Sequence, residues 1–262
     1  MFPTLFKAYG LSLSSYAFFL ALAAAIGIFG GYSFAVKRGF GKRSTKIALA
    51  AVSVSALVGA RLLHMLINWS FYVAHPWRIW AMDTVGFSLF GGIVLATLVG
   101  IAVCRKLKLN AWKLGDTFAP FIGLGIAAMR VGCFLNGCCF GRETDLPWGA
   151  IFPVLSPAHR YQLSQSTADM FTVHPVHPTE LYELAAALIC SAISFAIIKR
   201  KLPDGLAILV FLILFSSFRW LNYHLRVSPA TFDAPSWLYP VFYFAIIFCC
   251  SILTILRLRK KV

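Results

Sequence analysis

Seven apolar runs, at about 11–36, 47–67, 86–104, 117–136, 179–198, 205–224 and 237–256, recur along the chain between short polar separators. Each is near the roughly 20 residues that a helix needs to cross the hydrocarbon core of a bilayer. Backbone N–H and C=O groups find no water there, so such a run must close its hydrogen bonds within itself as a helix. The pattern predicts an all-α integral membrane protein, a single domain of seven transmembrane helices over residues 1–262. With 60% hydrophobic and 13% charged residues the chain is too apolar for a soluble domain.

The separators predict the orientation. Sixteen of the 24 basic residues lie in alternate separators and the tail: Lys37, Arg38, Lys42, Arg43 and Lys46; Arg105, Lys106, Lys108 and Lys113; Lys199, Arg200 and Lys201; Arg257, Arg259, Lys260 and Lys261. Positive residues in short loops stay cytoplasmic, so the N-terminus is expected outside and the C-terminus inside. The net charge of +15 is then a topology signal rather than a footprint for nucleic acid. The first run is read as an uncleaved span, because Lys7 alone precedes it and strong positive charge follows.

The other eight basic residues are Lys7 and seven arginines: Arg61, Arg78, Arg130, Arg142, Arg160, Arg219 and Arg226. All fall on the expected outer side, as do the six histidines and the acids Glu180 and Glu183. Arginine without lysine favours forked recognition of an oxyanion over topology marking. Arg61, Arg130 and Arg219 each sit about five or six residues from the outer end of a span, roughly 8–9 Å below the interface. That is the level of an outer-leaflet lipid phosphate. The alternative is that each arginine pairs with a carboxylate such as Glu180 or Glu183 and ties the bundle together.

The stretch Arg130-Val131-Gly132-Cys133-Phe134-Leu135-Asn136-Gly137-Cys138-Cys139-Phe140-Gly141-Arg142 ends the fourth run. Its glycines and Asn136 let backbone N–H groups approach a bound group, and a phosphate suits that mixture of N–H donors and guanidinium. The bland alternative is a charged helix end reaching for the interface. Gly91 and Gly92 open the third span, where they can either offer N–H groups to an anion or pack helices. Residues 68–85 read as an interfacial aromatic belt, and residues 137–178, with five prolines, as a small outer loop subdomain or lid. The segment ends in His177-Pro178-Thr179-Glu180-Leu181-Tyr182-Glu183, a helix start with both acids on one face. The seven cysteines lack Cys-x-x-Cys spacing. Cys133, Cys138 and Cys139 read as packed thiols, with a nucleophile or an outer disulfide as alternatives, and neither metal nor cofactor is expected.

Together, Tyr16, Gly59-Ala60-Arg61-Leu62, Gly86-Phe87-Ser88-Leu89-Phe90-Gly91-Gly92, Arg130–Gly137 with Gly141-Arg142, His177–Glu183 and Phe218-Arg219 with Arg226 give the chain a resemblance to the prolipoprotein diacylglyceryl transferases. The resemblance implies a seven-helix enzyme of the bacterial inner membrane whose active side faces the periplasm. Its implied partners are phosphatidylglycerol from the membrane lipid and a prolipoprotein signal peptide. It would move the diacylglyceryl group to the lipobox cysteine thiol and release glycerol 1-phosphate. Arg130, Arg219, His177 and Glu180 are the expected catalytic residues; Tyr16, Arg61, Gly91, Gly92, Asn136, Gly137, Arg142 and Glu183 are the expected substrate contacts. The chain departs from the family's pattern at Phe90, where a histidine is usual, at Cys138 and at Tyr223, where glutamates are usual. Two alternatives follow: a related transferase with a different acceptor, or a lipid-binding membrane protein without catalysis.

Overall fold

The computed structural model describes residues 4–8, 11–79, 88–200, 202–227 and 237–259. A hairpin of β1 (Thr4–Ala8) and antiparallel β2 (Leu11–Ser14) comes first. The helices are α1 (Ser15–Ala25), continued through a π-turn at Ile26–Gly30 into α2 (Gly31–Lys37), then α3 (Lys42–Ile67), α4 (Trp69–Ala74) and α5 (Leu89–Lys106). They continue as α6 (Ala111–Asn136), α7 (Pro157–Ser164), α8 (Thr179–Lys199), α9 (Leu206–Tyr223) and α10 (Leu238–Arg259). Among the described residues, six segments are long and apolar enough to cross a membrane: Ser15–Lys37, α3, α6, α8, α9 and α10. The protein is therefore a helical, multi-pass membrane protein. The first span begins at Ser15, not at residue 11, because Leu11–Ser14 pair with β1 and Ser14 caps α1 by accepting a bond from Ala17 N at 3.1 Å.

The chain divides into two compact units, Met1–Gly31 with Gly115–Val262, and Tyr32–Leu114. In the first, close approach is set by small residues on α6. A Cβ on Gly123 would meet Ser191 Oγ at 2.1 Å and the Ala187 carbonyl at 2.7 Å, so α8 lies directly against α6 there. One on Gly132 would meet Phe19 Cβ at 2.7 Å and Tyr16 Cα at 3.4 Å, which brings α1 against the other end. Without a hydrophobic drive between helices in lipid, such backbone proximity is what holds spans together. The start of α9 is fixed from α6 as well: Asp116, buried, accepts from Gly205 N at 2.7 Å and Ile208 N at 2.9 Å. These are amide groups a helix start cannot satisfy for itself.

Residues 137–178 fold around an apolar cluster of Phe140, Phe152, Ala158, Val176 and Val227. Ser156 caps α7 by accepting from His159 N at 3.2 Å. His159, fully buried, accepts from Leu155 N at 3.0 Å and reaches the Asp169 carbonyl at 2.9 Å, so its ring is a structural strut. Gln162 serves likewise, with Nε2 donating to the His174 carbonyl at 3.0 Å and Oε1 accepting from His174 N at 3.3 Å. At the loop tip Asp169 Oδ1 accepts from Phe171 N at 2.9 Å and Thr172 N at 2.8 Å. These two amides, with the Thr172 hydroxyl, hold the exposed Asp169 carboxyl below its ordinary range.

In the second unit α3 and α5 cross at backbone contact. A Cβ on Gly91 would fall 2.2 Å from the Gly59 carbonyl, and one on Gly59 would fall 2.4 Å from the Gly91 carbonyl. A Cβ on Gly92 would sit 2.9 Å from the Ala56 carbonyl.

Candidate active site

Glu183 lies one turn into α8, with 2% of its side chain accessible. Arg130 from α6 meets its Oε2 through Nη2 at 2.6 Å. Arg219 from α9 donates through Nη1 to Oε1, and Arg226, just beyond α9, approaches the same oxygen at 3.5 Å. Asn222 Nδ2 completes the set at 3.0 Å from Oε1 and also reaches the Thr179 carbonyl at 3.3 Å. Arg219 is held from its other edge by the Tyr243 hydroxyl of α10 at 3.1 Å, with the guanidinium 5.8 Å from the ring centroid. Side chains from α6, α9 and the segment just after α9 thus converge on one carboxylate of α8.

Three guanidiniums around one carboxylate leave positive charge uncompensated at that point. The carboxylate is sealed in, whereas the side chains of Arg219, Arg226 and Arg130 keep 23%, 18% and 11% of their surface accessible. A second anion can therefore be met from the arginine side while Glu183 holds the cations in place. Arg130 Nε is buried without a hydrogen-bond partner, a donor in need of an acceptor. Buried arginines of this density are stable only with paired charge, and planar guanidinium suits a second forked oxyanion.

Below this set, α6 ends in a turn. Gly137 adopts φ +71°, and Cys139 the same left-handed region at φ 71°, which a side chain seldom adopts. Arg130 Nη1 lies 3.7 Å from Cys133 Sγ, and the sulfurs of Cys133, Cys138 and Cys139 lie within 4.8 Å of one another. The Thr179 hydroxyl donates to the Cys139 carbonyl at 2.7 Å, tying the turn to the start of α8. Hydrogen bonds from the Cys133 and Cys138 thiols, then the Arg226 and Arg130 guanidiniums, hold the Cys139 thiol below the ordinary thiol range. Tyr16 lies within electrostatic reach of Arg130 and these three cysteines.

Gly141 allows the next strand-like segment to close on the site. A Cβ there would meet His177 Cβ at 2.6 Å and the carbonyls of His177 and Leu225 at 2.8 Å. Gly141 N donates to the His177 carbonyl at 2.9 Å, His177 N to the Arg142 carbonyl at 2.9 Å, and Arg142 N to the Leu225 carbonyl at 2.8 Å. Arg142 thus contributes its backbone to the seam, and its side chain is exposed.

The expected site residues separate into three groups. Arg130, Arg219 and Glu183 meet directly, with Tyr16, Asn136 and Gly137 on the adjoining elements. His177 turns elsewhere, its Nδ1 3.3 Å from the Tyr182 hydroxyl, which in turn accepts from Trp148 Nε1 at 2.8 Å. Glu180 is fully buried and neither carboxyl oxygen has a hydrogen-bond partner. Arg61, Gly91 and Gly92 belong to the other compact unit. There Arg61 Nη2 donates to the carbonyls of Arg78 at 2.5 Å and Ile79 at 3.3 Å, and its guanidinium lies 5.5 Å from the Tyr72 ring centroid. Tyr72, counted in sequence with an interfacial belt, is buried and bonds His64 Nδ1 at 3.1 Å. Gly86, Phe87 and Trp80 lie outside the described residues.

Asn222, Arg226 and Tyr243 were not singled out as site residues from sequence. The first two were within reach: Asn222 and Arg226 follow Arg219 by three and seven residues, the spacing of one helical face. Tyr243 has no such signal, since it comes from a separate apolar run.

Comparison with known proteins gives this geometry a family. A phosphatidylglycerol–prolipoprotein diacylglyceryl transferase of Geobacter sulfurreducens is 30% identical over 197 residues, covering 72% of this chain and 70% of that protein. Proteins of the same name from Nitrosomonas europaea and Cupriavidus pinatubonensis are each 33% identical, over 63% and 70% of this chain. The matched stretches span 55% and 62% of those two relatives. The profile of the prolipoprotein diacylglyceryl transferases matches residues 3–259, nearly the whole chain, which therefore belongs to that family.

Proposed function

We infer that this chain is a membrane transferase that takes phosphatidylglycerol and moves its diacylglyceryl group to the lipobox cysteine thiol of a prolipoprotein, releasing glycerol 1-phosphate. The observation that carries the reading is the meeting of Arg130, Arg219 and Arg226 on Glu183, with the arginines open on one side. In the reaction the sulfur attacks a glycerol carbon of the lipid, and the bond from that carbon to a phosphate oxygen breaks. Negative charge grows on the departing phosphate, and fixed guanidiniums stabilise it without reorganising. Arg130 and Arg219 are the proposed clamp, with Arg226 beside them, and Asn136, Gly137 and Arg142 border the lipid headgroup.

The thiol must also lose a proton. Glu183 is a weak candidate base, since both its oxygens lie against guanidiniums. Glu180 is the proposed acceptor, because its buried carboxyl makes no hydrogen bond and has electrostatic access to Arg130 and Arg226. His177, paired with Tyr182, is the proposed positioning residue for the surrounding loop.

The proposed membrane frame is that of the basic separators. α5 (Leu89–Lys106) supplies the seventh span, the N-terminus is outside and the C-terminus cytoplasmic. Residues 137–178 form a loop subdomain or lid on the periplasmic face of the bacterial inner membrane. Arg61, Gly91 and Gly92 are retained as proposed substrate contacts on the second unit. A second reading, transfer from the same lipid to another acceptor, is favoured by Phe90 and Tyr223, which replace ionisable residues usual in the family.

The test is incubation of the purified protein with phosphatidylglycerol and a lipobox peptide, following glycerol phosphate and peptide mass together. Coupled appearance of both is expected. Glycerol phosphate release without peptide gain would favour the second reading. Arg130→Ala and Arg219→Ala should each lower turnover by about 10²–10³-fold, and wild-type turnover in either would remove the clamp.

A further inference from the structure

The turn that ends α6 gathers three thiols that the transfer reaction leaves unused. Cys133 comes from the last turn of the helix, and Cys138 and Cys139 from the bend after it; the three sulfurs lie within 4.8 Å of one another. A thiolate–metal bond of about 2.3 Å puts the edges of a trigonal or tetrahedral sulfur set near 3.8–4.0 Å. A small inward movement closes the observed triangle onto that size.

We propose that Cys133, Cys138 and Cys139 form a three-sulfur site for one thiophilic d¹⁰ metal ion of the zinc(II) class. Three features of the turn fit it. Cys139 is held at φ 71°, a conformation costly for a side-chain residue, and it places the third sulfur with the others. Arg130 donates to Cys133 Sγ at 3.7 Å, and a guanidinium is matched by thiolate far better than by neutral thiol. A dication with three thiolates carries one net negative charge, which Arg130 and the nearby Arg226 offset.

A disulfide explains less. It would use two sulfurs of the three, and Cys138 with Cys139 would close a strained ring. Binding is a simple exchange: the ion enters, the three thiols become thiolates, and three protons leave to solvent. Its consequence is mechanical, since Asn136 and Gly137 lie inside the loop the ion would close. The site stands apart from the identity of the acceptor, so binding rather than activity tests it.

Reduced, full-length protein in detergent is titrated with zinc(II) and, as an optical probe, cadmium(II). Expected are one cadmium per chain with thiolate-to-metal charge-transfer absorption, and protection of Cys133, Cys138 and Cys139 from maleimide by equimolar zinc. Cys139→Ser should weaken cadmium binding by about 100-fold or more, as loss of a direct ligand exceeds the 10–100-fold cost of an outer partner. Equal alkylation with and without zinc overturns the proposal, as does cadmium binding unchanged in Cys139→Ser. Isolation of the native protein with two of the three joined as a disulfide overturns it too. The protection experiment uses the unaltered chain, so a poorly folding variant does not blunt it.

Discussion

The first compact unit and the second both place arginine and glycine near helix ends, yet they use them for opposite ends. In the first, Arg130, Arg219 and Arg226 share the one carboxylate of Glu183 and remain partly open. In the second, Arg61 donates to the carbonyls of Arg78 and Ile79, and Gly59, Gly91 and Gly92 set the backbone contact between α3 and α5. A carbonyl holds a guanidinium without neutralising it, whereas a carboxylate shared by three guanidiniums offsets only one of them. The count of guanidiniums against acceptors distinguishes the two regions better than the residue types do.

Glu183→Gln should break that contrast most severely. It leaves three guanidiniums facing one another without their anion, and removing one partner of a buried ion pair costs about 3–5 kcal/mol. Thermal unfolding should shift sharply down and turnover should fall with it. Unchanged stability would mean that the arginines do not depend on Glu183. Glu180→Gln separates catalysis from scaffold, because that carboxyl forms no hydrogen bond. Turnover should drop by about 10²-fold or more, as for loss of a general base, while the melting temperature holds or rises. A stable variant with full turnover removes Glu180 as the proton acceptor. Gly91→Val probes the second unit, where the added carbons collide with the Gly59 carbonyl; overpacking of this kind costs about 1–3 kcal/mol. Wild-type stability there would show that α3 and α5 can separate freely.

Much of this was legible in the chain. The apolar runs located the six spans found among the described residues, and the arginines at one depth picked out Arg130 and Arg219, because charge in a membrane segment must find a partner. The same reasoning named Glu183 as a possible partner but could not tell that one carboxylate would serve three arginines, since that depends on the packing of α6, α8 and α9. The hairpin before α1 was hidden because Leu11–Ser14 runs without a break into an apolar helix, so strand and helix periods merge. The meeting of Cys133, Cys138 and Cys139 was hidden for another reason. It needs a left-handed residue at Cys139, and no ligand-like spacing announces it.

The smallest expected effect sharpens the comparison by removing a confounding titration from the first unit. Asp169 sits at an exposed loop tip, and its carboxyl is held below the ordinary range by the amides of Phe171 and Thr172 and by the Thr172 hydroxyl. A depressed folded value means that the order it confers is present above the usual aspartate range and is lost as pH falls through it, below about 4. Amide exchange at Phe171 and Thr172 should therefore accelerate at acid pH beyond the intrinsic trend. Asp169→Asn keeps an accepting oxygen but cannot ionise, so the acid-dependent part should vanish while the turn persists. If exchange in the variant still follows the wild-type pH curve, another group controls the loop. With that background, a pH profile of turnover in Asp169→Asn is free of the loop's own titration.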